Sequence, residues 1–228
     1  MDTAKDFQSI LASAVHDMKN SLGMLMNTIE EIKHNCAAEN CSAPDLFPNL
    51  QYEAQRLNNN LIQLLTLYKI GNSRFHLNIS HHNVSDFIEE NIIQNQPLLD
   101  AQRVDIDIEC NEDMFFFFDR ELVSGVLNNI LNNAFRYAGD KIAVSAKEED
   151  DYLMIRIEDN GMGYPENMLR QGDPEQMSRT DFKTGSTGLG LYFSSIVAAM
   201  HENKGKKGFI TLTNSGKYQG GCFTIFLP

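Results

Sequence analysis

The apolar residues of this chain repeat with two different periods, and no single kind of secondary structure satisfies both. Phe7, Leu11, Ala14, Met18, Leu22, Leu25, Ile29 and Ile32 recur at spacings of three and four, as do Phe47, Leu50, Ala54, Leu57, Leu61, Leu64 and Tyr68. Each run is the stripe of an amphipathic helix. The runs are separated by an interruption of about ten residues containing Pro44 and Pro48. Residues 6–70 therefore read as a helical hairpin. Two helices bury little surface on their own, so stripes this regular predict that two hairpins pair in a dimeric four-helix bundle.

From Gly71 the apolar period changes from heptads to alternation, with Phe75, Leu77 and Ile79 pointing one way. A boundary at 71–74 follows, dividing residues 1–72 from 73–228. In the second part Ser85 can cap a helix running to about Ala101, followed by a strand at Val104, Ile106 and Ile108 and a fully apolar one at Phe115 to Phe118. Asp119 caps a long helix to Ala138; strands follow near Ile142 to Ala146 and Leu153 to Ile157. After a glycine-punctuated loop come a helix at Leu189 to Met200 and strands at Phe209 to Thr213 and Cys222 to Leu227. The fold class is α+β: the helical hairpin, then an α/β sandwich with helices on one face of one sheet.

Charge limits the partners. With 19 basic against 31 acidic residues the net charge is −12, which argues against nonspecific binding to nucleic acid or an anionic membrane. An anionic ligand needs a local site. Four cysteines without CxxC spacing suggest neither a zinc site nor a disulfide framework, and reduced thiols point to the cytoplasm. The N-terminus is too polar for a signal peptide and no apolar run approaches a membrane span. Lys204, Lys206 and Lys207 read as a solvated loop, and His76, His81 and His82 as linker polarity rather than a metal site.

Four short stretches carry chemistry. In Ala14 to Leu22, His16 lies roughly opposite Ala14 and Met18 on the helix, at ~100° per residue. An imidazole held out in solvent is a competent nucleophile near neutral pH. Asp17 is placed to take or orient the ring proton, and Asn20, one turn on, shares the same face. Asn129 and Asn133 are also four apart, within Asn128 to Tyr137, and amide oxygens are hard ligands suited to magnesium. Glu158-Asp159-Asn160-Gly161-Met162-Gly163 follows a strand: a carboxylate there can accept from an exocyclic amine, while glycines admit a flat base. Gly185 to Leu191 opens a helix, where backbone amides can hold phosphates. Singly, each has an ordinary explanation: a solvated histidine, surface amides, a turn, a loop.

In this order the boxes closely resemble those of the two-component sensor histidine kinases, over nearly the whole chain. The ending Gly220 to Pro228 and the lead-in Asp119-Arg120-Glu121-Leu122 resemble the family as well. The resemblance implies a dimerisation and histidine phosphotransfer domain (1–72) and a catalytic ATP-binding domain of the Bergerat type (73–228). It makes His16 the phosphoacceptor, Asp17 its general base and Asn20 the residue that positions water for removing phosphate from a regulator. It implies that Asn133 ligates Mg2+ beside Asn129, and that Arg136 and Tyr137 approach phosphates and base. Asp159 would bind the adenine amine, with Gly161 and Gly163 shaping that pocket. Thr187 and the amides of Gly188, Leu189, Gly190 and Leu191 would hold the phosphates of ATP under a lid at 164–187. Ser21 stands where the family usually has proline, and His201-Glu202-Asn203 replaces its His-Gly-Gly.

The function so implied is an ATP-dependent protein histidine kinase, a cytoplasmic homodimer. It phosphorylates His16 and passes the group to an aspartate on the receiver domain of a response regulator. Only 15 residues precede His16, so the expectation is control by a separate sensor or regulatory protein, or that the chain is part of a longer sensor. The rival is a nonenzymatic phosphotransfer or docking module with a degenerate ATP domain. A Bergerat ATPase without phosphohistidine is a third reading, one that needs no His-Asp-x-x-Asn on an exposed helix face.

Overall fold

The computed structural model describes residues 18, 20–32, 43–71, 76–169 and 189–228. The chain divides into two compact units, residues 1–72 with 181–189, and residues 73–180 with 190–228. In the first, residues 20–32 are helical (α1) and a second helix spans Ala43–Gly71 (α2). The interruption does not contain Pro44 and Pro48 as the sequence suggests, because both prolines lie inside α2. Pro44 falls in the first turn, where a missing N–H leaves no helical bond unmade. Pro48, one turn later, removes only the donor to the Pro44 carbonyl. Of the seams, Leu64 is buried, while Leu22, Ile29, Leu61 and Tyr68 are exposed, so a single chain leaves part of both stripes in solvent.

The second unit is built on a five-stranded sheet in the order β2-β4-β5-β9-β8: Asp105–Glu109 (β2), Lys141–Glu149 (β4), Tyr152–Asp159 (β5), Cys222–Leu227 (β9) and Phe209–Thr213 (β8). β2 runs parallel to β4, with Ile106 opposite Ile142; the other pairs are antiparallel. A separate ribbon pairs Ile79–Asn83 (β1) with Phe115–Asp119 (β3), His81 opposite Phe117. The strand expected from Phe75 thus begins only at Ile79; Leu77 precedes it and Phe75 is outside the described residues. β3 is not buried throughout as its run of phenylalanines suggests. Phe118 is buried but Phe117 is 60% exposed, since a two-stranded ribbon has only one face covered. The His81 ring lies over that open face, 5.1 Å from Phe115 and 4.7 Å from Phe117.

The helices are Val84–Gln102 (α3), Arg120–Tyr137 (α4), Glu166–Leu169 (α5) and Leu189–Met200 (α6). The cap of α3 is Asn83, not Ser85: Asn83 Oδ1 accepts from the Asp86 N–H at 3.0 Å. A cap must stand in extended backbone just before the first turn, and Ser85 is already helical. α3 packs against β4 and α4, and α4 against β5. Phe87, Leu127, Leu131, Ile142, Phe193 and Phe223 are buried in this core. The lysine cluster is a hairpin rather than a loop. Glu202–Asn203 (β6) and Lys206–Lys207 (β7) flank Lys204 and Gly205, both at positive φ (50° and 79°), the geometry of a tight two-residue turn. Among the described residues no helix is long and apolar enough to cross a membrane.

Candidate functional site

The site begins with how α4 is held. Asp119 caps it: Oδ1 accepts from the Leu122 N–H at 3.1 Å and Oδ2 from the Asn78 N–H at 2.8 Å. The N–H of Asp119 donates to Nε2 of His201 at 3.0 Å, and Nδ1 of His201 lies 2.8 Å from the Val197 carbonyl. That pairing puts the ring proton on Nδ1, and burial lowers the pKa of the imidazole. His201 thereby ties the start of α4 to the end of α6.

The apolar stripe of α4, Leu122, Val123, Val126, Leu127, Ile130, Leu131, Ala134 and Phe135, leaves its asparagines on two opposite edges. Asn128 and Asn132 follow one edge, toward α3. There Asn95 Nδ2 donates to Asn128 Oδ1 at 2.8 Å, Asn128 Nδ2 reaches Asn91 Oδ1 at 3.4 Å, and the Ser124 hydroxyl donates to the same Asn91 oxygen. Asn129 and Asn133 follow the other edge. Gly190 at the start of α6 closes on Asn129, so that a Cβ at 190 would stand 2.1 Å from Asn129 Oδ1. Asn129 Nδ2 is buried with no hydrogen-bond partner among the described residues. Two of the boxes therefore meet. Asn133 is half-buried one turn further on; Arg136 and Tyr137 are exposed, with the guanidinium 5.3 Å above the tyrosine ring.

Asp159 ends β5 and is held by main chain. Its Oδ1 accepts from the N–H groups of Gly161 at 2.7 Å and Gly221 at 3.2 Å, and its Oδ2 takes no hydrogen bond among the described residues. The surrounding backbone admits no side chains: a Cβ at Gly161 would lie 1.9 Å from the Tyr137 carbonyl oxygen, and one at Gly220 2.2 Å from that of Asp159. Gly163 has φ of 75°, the left-handed region that glycine tolerates. The Tyr164 ring packs beside Gly221, and burial, then the Asp159 carboxylate, pushes its phenol pKa upward. The result is an acceptor oxygen among bare peptide planes, suited to the amine edge of a flat heterocycle.

Asn160 has a different role. Its Oδ1 accepts from the N–H groups of Gly139, Asp140 and Lys141 at 3.0, 3.1 and 3.1 Å, closing the turn between α4 and β4. Of the residues singled out in the sequence, Leu189, Gly190 and Leu191 open α6, while Thr187 and Gly188 lie outside the described residues. So do His16 and Asp17; Asn20 is exposed on α1. Sequence reasoning overlooked Tyr164, whose ring lies beside Gly221, and Asn214, which holds the Tyr164 main chain, and gave Gly220 and Gly221 no role around Asp159. The glycine pair ahead of the final strand is a visible signal, whereas a lone Asn after β8 offers none beyond an ordinary turn residue.

Residues 118–228 match the model of the histidine kinase-, DNA gyrase B-, and HSP90-like ATPases. Sensor protein kinase WalK of Staphylococcus aureus (strain MRSA252) is 26% identical over 232 residues, covering 98% of this chain and 37% of that protein. This chain therefore spans little more than a third of that relative. Among solved structures, Acinetobacter baumannii histidine kinase AdeS superposes with a TM-score of 0.62 at 19% identity, covering 93% of this chain and 96% of that one. The catalytic domain of histidine kinase ThkA covers 67% of this chain and 96% of its own, with a TM-score of 0.55 at 22% identity. These two likenesses establish the fold. The packed α4–α6 contact and the glycine-walled Asp159 thus lie within the residues that match the histidine kinase-, DNA gyrase B-, and HSP90-like ATPase model, in a chain similar to a sensor protein kinase.

Proposed function

We propose that this chain is an ATP-dependent protein histidine kinase that phosphorylates His16 and passes the phosphoryl group to an aspartate on a response regulator receiver domain. The observation that carries the reading is Asp159, oriented by two amides, with its second oxygen beside Gly221 and without a hydrogen bond among the described residues. Adenine's exocyclic amine suits that oxygen, and Gly161, Gly220 and Gly221 hold the main chain too close around it for any side chain to intervene. At the other end of the site the buried, unpartnered Nδ2 of Asn129 fits a polar ligand such as a nucleotide phosphate. Asn133, one turn on, is the residue to ligate magnesium, which when bound neutralises phosphate charge.

The chemistry needs little else from the protein. A bond forms between an imidazole nitrogen of His16 and the γ-phosphorus of ATP while the bond to the ADP oxygen breaks, and Asp17 takes the ring proton. Thr187 and the first amides of α6 hold the phosphates in line, and Arg136 and Tyr137 stand at their edge. Residues 1–72 form the dimerisation and phosphotransfer domain and residues 73–228 the catalytic domain. The exposure of Leu22, Ile29, Leu61 and Tyr68 supports a homodimer, because a second hairpin would cover them. Asn20, exposed on α1, orients water when the phosphorylated regulator is hydrolysed.

The test is incubation with γ-labelled ATP and magnesium. Label that is acid-labile, base-stable and lost in His16→Ala is the expected result. A chain that binds ADP but takes up no label would instead be a docking or phosphotransfer module.

A further inference from the structure

Residues 214–221, between β8 and β9, are tied down on two sides. On one, Asn214 grips the main chain of Tyr164: the Tyr164 N–H donates to Oδ1 at 2.7 Å and Nδ2 donates to the Tyr164 carbonyl at 2.8 Å. A side-chain amide thus replaces a strand neighbour for one residue. The contact is close, since a Cβ at Gly163 would come within 2.7 Å of the Asn214 amide. On the other side Lys217 Nζ lies 2.6 Å from the Glu109 carboxylate and 3.2 Å from that of Asp107, and the Tyr218 hydroxyl donates to Asp107 at 3.2 Å. Hydrogen bonds to Glu109 and Asp107 raise the pKa of Lys217, keeping the staple charged. The connection ends at Gly221, whose N–H helps orient Asp159.

The segment from Gly161 to Tyr164 has little else to set its path. Gly161 abuts the main chain of Tyr137 and Gly220, but Met162 is 92% exposed and Gly163 meets only the Asn214 amide among its nearest atoms, so side-chain packing contributes little between Gly161 and Tyr164. Main-chain hydrogen bonds remain: Gly161 to Asp159 at one end and Asn214 at the other. We propose that Asn214 is a positioning residue for base recognition, which by gripping Tyr164 sets the path of residues 161–164 and hence the Gly161 amide that aims the Asp159 carboxylate. The proposal rests on the adenine reading of that pocket. It makes Asn214 a determinant of which base is preferred, although it lies beyond the Asp159 contact itself.

Asn214→Ala removes both bonds while the Lys217, Tyr218 and Gly221 ties still hold the connection. The experiment is calorimetric titration of the full chain with ADP and with inosine 5′-diphosphate, which carries a carbonyl where adenine has its amine. Loss of the two bonds is expected to weaken ADP about tenfold and inosine diphosphate by less than about threefold, shrinking the preference for ADP. A merely structural role would weaken both ligands alike. Asn214→Asp, which keeps the acceptor for the Tyr164 N–H and loses the donor, should fall between. If Asn214→Ala melts below the assay temperature, the preference is read from Asn214→Asp alone. An unchanged preference in the folded variants overturns the proposal and leaves the adenine reading standing. A wild-type chain that binds both ligands equally defeats that reading, and this inference with it.

Discussion

Replacing His201 by phenylalanine should destabilise the catalytic unit without touching the nucleotide pocket. The imidazole is 2% exposed and makes two hydrogen bonds, accepting from the Asp119 N–H and donating to the Val197 carbonyl. Phenylalanine fills similar space, so no cavity forms, but a buried donor and a buried acceptor lose their partners. At about 1–3 kcal/mol for each unsatisfied group, less some relaxation, the cost is roughly 2–4 kcal/mol. For a domain of this size that lowers Tm by roughly 5–15 °C. Acid should act on the same contact. Burial lowers the folded-state pKa of His201 below its ordinary value, so the folded state favours the neutral ring. The stabilisation is therefore fully present above about pH 6.5, where an unfolded histidine is neutral, and is lost as pH falls below that toward the folded pKa. Urea denaturation of wild type and His201→Phe at several pH values between 5 and 8 measures both effects, and the difference between the two proteins should shrink as pH falls. A variant within about 0.5 kcal/mol of wild type at pH 7.5, or a difference independent of pH, would refute the account, since ordinary surface substitutions stay within that range.

The remaining expectations concern both units. Gly190→Ala should weaken binding of the magnesium complex of ADP by about tenfold while shifting Tm little, because the atoms nearest the new methyl all belong to the Asn129 side chain, which can rotate away at the expense of its place in the site; unchanged affinity by calorimetry would place Asn129 outside the site. Asn128→Ala should cost about 1–2 kcal/mol in urea denaturation by leaving one Asn95 amide N–H without its acceptor while the other keeps the Asn91 carbonyl, and adding Asn95→Leu should recover part of it; a neutral single variant would show that the α3–α4 network contributes nothing. Residues 1–72 expressed alone should run as a dimer in light scattering, and 73–228 as a monomer, while a monomeric 1–72 at micromolar concentration counts against the bundle. Asn20→Ala should keep autophosphorylation and lose only the acceleration of regulator dephosphorylation, and equal regulator phosphate lifetimes with and without the amide would deny Asn20 that role.

What could be read from the sequence is what local order controls. The period of apolar residues announces α4, β5 and α6 to within two residues and β4 to within three, because Leu122 to Phe135 put their buried side chains on one helix face and the apolar run at Leu153 to Ile157 suits a strand whatever covers its two faces. Asp119 declares itself as a cap for the same reason: its acceptor lies only three residues from the amide it serves. Motif spacing likewise marked Asn129, Asp159 and Gly190, whose types suit a nucleotide wherever the chain brings them. What only the tertiary structure decided is pairing across long stretches of chain. Nothing near Asn160 tells that its oxygen closes the Gly139–Lys141 turn, nothing near His201 that it accepts from Asp119, and nothing near Asn214 that it grips Tyr164 fifty residues away. Nor could the run Phe115 to Phe118 reveal that two of its rings face solvent, since burial of an apolar strand depends on what the rest of the fold lays against each face. A local pattern specifies which groups need partners, and only the folded chain supplies them, because hydrogen bonding and packing depend on distance in space rather than along the sequence.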